Sequence, residues 1–163
     1  MIVKDHNGKP IADKLGNFIT KADAKRIKNY MMETSEKPVS IPPKVYHATH
    51  PSKIASIMEK GLKPHPIYGE IYFCEMVSHC MQFIGKPAIF IEVDTKRLDR
   101  NLFFLSKDHI KIPSRNFEAY TYYKAIPARF LKFSALTEKG IIDIEHDKIQ
   151  QFILGELQQH ESN

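Results

Sequence analysis

Cysteine is scarce in this chain: Cys74 and Cys80 are the only two. Two cysteines cannot build a disulfide framework, and their spacing matches neither a zinc site nor a redox motif. They are read as reduced thiols of a cytoplasmic protein. No apolar run approaches the length needed to cross a bilayer, which disfavours membrane insertion. The opening MIVKDHNGKP lacks the apolar core of a signal peptide, which disfavours secretion by the ordinary route. Internal repeats and low-complexity tracts are missing as well. His47 and His50 flank Thr49, but no Cys, Asp or Glu arrangement completes a metal site around them, and no metal is expected. His65 and His79 stand alone and read as surface residues.

What is present describes an ordinary folded protein. The 163 residues suffice for one domain with a real core and are too few for two comfortable ones. Hydrophobic residues at 42% and charged residues at 26% exclude disorder of the whole chain. The net charge of +5 is unevenly spread. From Ser134 onward, Lys139 and Lys148 face Glu138, Asp143, Glu145, Asp147, Glu156 and Glu161, a net of −4, so residues 1–133 carry +9. A basic body with an acidic tail suits a polyanionic partner, or simply a soluble basic surface. The basic set Arg97, Arg100, Lys107, Lys111 and Arg115, with Phe103 and Phe104 nearby, has the composition to track phosphates and stack a base, though a solvated loop fits it equally.

Three segments follow one another. Residues 1–43 read as an accessory lobe: a strand from Met1 to Lys4, a turn at Asn7-Gly8, and a helix capped by Thr20 with Ala24, Ile27, Tyr30 and Met31 at helical spacing. Pro38, Pro42 and Pro43 mark a connector. Residues 44–133 form the main body. KVYHA is a strand, and HPSKIASIMEKG is a helix with Pro51 in its first turn and Gly61 as its stop. EIYF is a strand, and CEMVSHCMQFIG a helix with Met76, Val77, Cys80, Met81 and Ile84 on one side. PAIFIEVD is a buried strand, residues 95–114 are mostly loop, EAYTYYKAIP is β-rich, and ARFLKF is the last strand. Residues 134–163 hold an amphipathic helix, from Asp143 to about Gln159, with Ile149, Phe152, Ile153 and Leu157 on one face, and a tail. The order points to an α+β fold with a largely antiparallel sheet flanked by helices.

Three stretches, in order, resemble a known family. VYHATHPSKIASIMEKGLKP, then YGEIYFCEMVSHCMQFIG, then NFEAYTYYKAIPARFLKF resemble the catalytic core of the poly- and mono-ADP-ribose polymerases, members of the ADP-ribosyltransferase superfamily. The resemblance covers roughly residues 44–133 and implies a split, largely antiparallel sheet. It also implies NAD as co-substrate and His47, Tyr72 and Glu118 as the catalytic set. By the same resemblance His47 holds the adenosine ribose, Tyr72 and Phe83 enclose nicotinamide between two rings, and Glu118 holds the nicotinamide ribose. Ala48 stands where the family has the glycine whose backbone grips the nicotinamide amide, Thr49 follows it, and Cys80 replaces a serine that donates to that amide.

The residue types suit that chemistry. Breaking the bond between nicotinamide and ribose passes through an oxocarbenium-like transition state. Aromatic faces pin the leaving group, and a carboxylate near the developing positive charge stabilises the transition state more than the ground state. The expected activity is mono-ADP-ribosyl transfer to a protein or nucleic-acid acceptor, by a monomer with no membrane partner. Two alternatives keep the fold: an RNA 2′-phosphotransferase, whose His-containing strand and late Ile-Pro this chain also resembles, and an inactive module that binds NAD or ADP-ribose.

Overall fold

A reciprocal cap starts the first helix. The Thr20 hydroxyl accepts from the Asp23 amide while the Asp23 carboxylate accepts from the Thr20 amide. Helix α1 (Lys21–Glu33) follows from there. The computed structural model describes residues 1–5, 7–80, 89–106, 119–137, 140–149 and 151. Ahead of α1, the bridges Ile2↔Thr20, Lys4↔Pro10 and Ala12↔Phe18 fold residues 1–20 into a small meander that turns at Gly8 and Gly16, both at positive φ. No residue of α1 is fully buried, and Tyr30, assigned to the apolar stripe by its spacing, is 62% exposed.

The body alternates helix and strand before becoming mostly strand. Strand β1 (Lys44–Thr49) leads through a 3-10 turn opened by Pro51 into α2 (Ile54–Lys60). Strand β2 (Ile71–Cys74), helix α3 (Val77–Cys80) and strand β3 (Ile89–Asp94) come next. Strands β4 (Phe103–Leu105), β5 (Ala119–Tyr122), β6 (Leu131–Thr137) and β7 (Gly140–Ile144) complete the sheet. All seven strands form one sheet in the order β4-β5-β2-β1-β3-β6-β7, and every neighbouring pair is antiparallel. The α+β class with an antiparallel sheet is therefore what the chain builds.

Period-two alternation gives the sheet two different faces. Val45 of β1, Ile71 and Phe73 of β2, Ile89, Ile91 and Val93 of β3, and Leu131 and Phe133 of β6 enter the main core with Ile54 and Ile57 of α2. On the opposite face a smaller cluster gathers Cys74, Cys80 and Phe90 with Tyr46, Ala48, Tyr72, Val77 and Leu136.

Four expectations are corrected. The segment 95–114 was read as mostly loop, but β4 lies within it, paired to β5 through Phe103↔Tyr122, Phe104↔Thr121 and Leu105↔Tyr120. ARFLKF does not end the sheet: β6 runs past residue 133, and β7 pairs with it from Phe133↔Ile144 to Thr137↔Gly140. Asp143 and Ile144 therefore belong to a strand and not to the amphipathic helix read from Asp143, and a 3-10 turn (His146–Lys148) follows, leading to the fully buried Ile149. The local reason is that GIIDI exposes Ile141 and Ile142 and so shows no apolar alternation. Met76, read as part of an apolar helical side, precedes α3 and is 54% exposed. Residues 152–163 lie outside the described residues.

Gly61 joins α2 to the segment that follows β5. Its φ is +81°, and the next residue, Leu62, exchanges two backbone hydrogen bonds of 2.9 Å with Ile126. A Cβ at Gly61 would collide with the Ile126 carbonyl oxygen. Gly61→Ala is expected to destabilise the fold by at least ~2 kcal/mol, from backbone strain and this clash together. Urea unfolding of the two proteins side by side checks it, and an unchanged midpoint would refute the assignment.

Candidate functional site

Ladder geometry singles out one place in the sheet. In an antiparallel strand, successive residues turn their N–H and C=O alternately to the two neighbouring strands. Thr95 N donates to Pro43 O, and Lys44 pairs with Asp94, so Val45, His47 and Thr49 bond towards β3. Tyr46 and Ala48 then direct their backbone groups towards β2. The same parity holds across β5: Ser106 N donates to Ala119 O and Tyr123 N to Leu102 O, so Tyr120 and Tyr122 bond towards β2. Their partners Phe73 and Ile71 face β5, which leaves Tyr72 and Cys74 facing β1.

A continuous ladder would therefore pair Tyr46 with Cys74 and then Ala48 with Tyr72. Only the first pair forms. In place of the second, the His47 imidazole reaches across, with Nδ1 2.7 Å from Tyr72 O. A carbonyl only accepts, so Nδ1 carries the proton and Nε2 presents a lone pair. The ladder between β1 and β2 stops here: among the described residues Ala48 and Tyr72 form no ladder pair.

His47 is held in the neutral form. Burial pushes its pKa below the usual value; the bond to Tyr72 O opposes this, and the Lys53 ammonium adds to the lowering. Its ring meets the edge of Phe73 at 5.9 Å between centroids. Sequence alone marks the segment around Lys53 by its apolar face and does not point to this cation. Its one signal is a lysine in the first turn after the His47 strand.

On the other face, Tyr72 stands half-buried beside Cys74 and Ala48. Cys80 Sγ lies 3.3 Å from Tyr46 O and donates to it, tying α3 to the last ladder pair. Contact with Cys74, together with burial, drives the Cys80 pKa far above the usual thiol value, so it stays a thiol. His47 and the two thiols stand on opposite faces, so they make no Cys–His dyad. Tyr46 Oη donates to Glu92 Oε1 at 3.2 Å, and Lys44 Nζ lies 3.7 Å from Glu92 Oε2. Glu92 thus places a carboxylate on the Tyr72 face, which the alternation of IFIEVD encodes but sequence reasoning passed over.

The structure thus brings together His47, Ala48, Tyr72 and Cys80 around the end of the β1–β2 ladder. Thr49 is buried on the His47 face, paired with Ile89. Phe83 and Glu118 lie outside the described residues; Ala119, the next residue after Glu118, pairs with Cys74. Phe103 and Phe104, expected to stack a base, are 1% and 7% exposed and cannot do so. Lys107, Lys111 and Arg115 lie outside the described residues. Among the described residues no group of three or more His, Cys, Asp or Glu is placed to hold a metal ion, and no helix is long and apolar enough to cross a membrane.

No protein-family model matches the chain, and no curated protein matches it significantly. Among solved structures, EcPltA is similar over 64% of this chain and 83% of its own length, with a TM-score of 0.41 and 10% identity. A likeness this faint transfers neither a fold family nor an activity, and the functional reading rests on the geometry above.

Neutral His47 has a consequence for stability. Its folded pKa lies below its unfolded value of about 6.5, so between those two values the unfolded chain binds more protons. The stability it contributes is complete above pH ~6.5 and is lost as pH falls through that window. His47→Asn, whose amide can still donate to Tyr72 O, is expected to show a flatter dependence of urea midpoint on pH between about 7 and 5. Parallel slopes in the two proteins would count against a neutral His47.

Proposed function

We propose that the chain is an NAD-dependent mono-ADP-ribosyltransferase that cleaves the nicotinamide–ribose bond and passes ADP-ribose to a protein or nucleic-acid acceptor. One observation carries the reading: the β1–β2 ladder stops before Ala48, whose backbone donor and acceptor are directed at β2 beside the Tyr72 ring. A carboxamide needs this complement, since it offers one carbonyl and one amide group of its own. The order of the three resembling stretches and the antiparallel sheet support the same reading.

Each residue has a physical task in it. The Ala48 backbone holds the nicotinamide amide, and the Tyr72 ring packs against the nicotinamide plane. His47, with Nδ1 committed to Tyr72 O, offers Nε2 as acceptor to a ribose hydroxyl. Glu118 supplies the negative charge that stabilises the oxocarbenium-like transition state and accepts the proton of the attacking group. The bond from C1′ to the nicotinamide nitrogen breaks with its electron pair going to nicotinamide, and the acceptor oxygen or nitrogen bonds to C1′.

The test uses NAD labelled in its adenylate, incubated with whole-cell extract and the purified protein. Glu118→Gln is expected to reduce label transfer by about 10²–10³-fold, the cost of deleting one transition-state stabiliser. Tyr72→Ala is expected to raise KM for NAD by several-fold to about tenfold, a loss of ~1 kcal/mol of ring packing. Release of the label by protease or by nuclease names the acceptor class. Equal transfer by the parent and Glu118→Gln removes that residue's role. ADP-ribose binding without nicotinamide release would make the chain a binding module.

A further inference from the structure

We propose that the end of the sheet formed by Arg97, Phe130 and Arg129 is a contact surface for single-stranded nucleic acid. The guanidinium carbons of Arg97 and Arg129 each lie 4.8 Å from the centroid of the same Phe130 ring. Phe130 is half-buried and packs against the main core, which fixes the ring. Arg97 ends the 3-10 turn after β3, and Arg129 lies in the 3-10 turn (Ala128–Phe130) before β6, so two rigid backbone segments aim two cations at one place.

Among the described residues neither guanidinium has a carboxylate partner: the ion pairs there are Arg26–Asp23, Lys44–Glu92 and Lys148–Glu145. The acids flanking Arg97 are engaged locally, with Asp94 accepting from Lys96 N and Asp99 from Asn101 N. Two like charges against one ring repel each other, and an exposed cation–π contact returns only ~0.5–1 kcal/mol each. An anion between or above them relieves that repulsion. Lys96 and Arg100 are exposed on the same stretch, and α2, which ends in Lys60, packs against the turn that carries Arg129.

The chemistry favours nucleic acid over other polyanions. Arginine stacked on an aromatic ring keeps its donors for phosphate oxygens and presents its outer plane to an unstacked base. A membrane surface would call for apolar side chains beside the basic ones. The exposed large apolar residues, among them Leu15, Phe18, Val39 and Met76, do not belong to these segments. This surface does not depend on the NAD reading: it can bind a strand whether or not the chain transfers ADP-ribose.

The experiment is a fluorescence-anisotropy titration of a short fluorescein-labelled oligouridylate over a range of salt. The parent binds with a salt-dependent affinity. Arg97→Gln/Arg129→Gln is expected to bind at least about tenfold more weakly, with a log–log salt slope shallower by about 1.4, or 0.7 per phosphate contact on a single strand. Lys14→Gln/Lys25→Gln removes the same charge from the meander and α1 and is expected to bind like the parent. Arg97→Lys/Arg129→Lys keeps the charge, so it retains the slope while losing affinity several-fold, and it serves if the glutamine variant fails to fold. Parental affinity in both arginine variants, equal weakening by the lysine-to-glutamine control, or displacement by polyglutamate as readily as by unlabelled oligouridylate would each overturn the proposal.

Discussion

The bond from His47 Nδ1 to Tyr72 O governs how this sheet is put together. A backbone carbonyl inside a protein must find a donor, and in an unbroken ladder the donor would be the Ala48 amide. The imidazole supplies the donor instead, and the ladder goes no further than the Tyr46↔Cys74 pair. Both the donor at Nδ1 and the lone pair at Nε2 depend on the ring being neutral. Burial enforces that state, and Lys53 reinforces it. One hydrogen bond therefore sets the tautomer of His47 and takes the carbonyl that the Ala48 amide would meet in a continued ladder.

An unzipped pair is affordable because stability is concentrated on one face. Ladder bonds contribute about 0.5–1.5 kcal/mol each, whereas burying one large apolar side chain is worth ~1.5–3 kcal/mol. Phe73, Ile91 and Phe133, each almost fully buried on the His47 face, together outweigh the missing bonds. Among the described residues the opposite face carries a smaller cluster around Cys74, Cys80 and Phe90. Division of labour follows: the core side fixes the strands, and the other side tolerates the interrupted ladder and half-buried tyrosines such as Tyr46 and Tyr72.

Much of the architecture was legible because it is written in alternation and caps. KVYHAT and IFIEVD alternate where one face is buried, Thr20 with Asp23 marks the helix start, and Gly61 marks a helix stop that no other residue fits. Strand β4 was not legible, since three residues cannot display a period and two 3-10 turns precede them. Strand β7 was hidden because an edge strand with exposed Ile141 and Ile142 lacks the contrast that alternation requires. His47 and Tyr72 were legible as residues in order, but their relation was not. Where a ladder stops depends on what a neighbouring side chain does to a carbonyl, and no sequence window contains that information. Phe103 and Phe104 show the reverse error: composition offered them as stacking rings, while pairing of β4 to β5 buries both.

Two departures from the resembled family, Ala48 and Cys80, act at different levels. An extended strand accepts any residue, so alanine at position 48 costs the backbone nothing. Its methyl group joins the small cluster on the Tyr72 face and leaves the N–H and C=O directed at β2. Recognition by those groups is a property of the strand and not of the side chain. Position 80 differs, because its hydrogen is already given to Tyr46 O, the acceptor of the last ladder pair. There the thiol pins α3 beside that pair. A donor spent on holding the helix in place is unavailable to a ligand, so in the proposed function recognition of an amide would fall to the Ala48 backbone. That transfers the specificity of the proposed site from a side chain to the geometry of the unzipped strand, and hence back to His47.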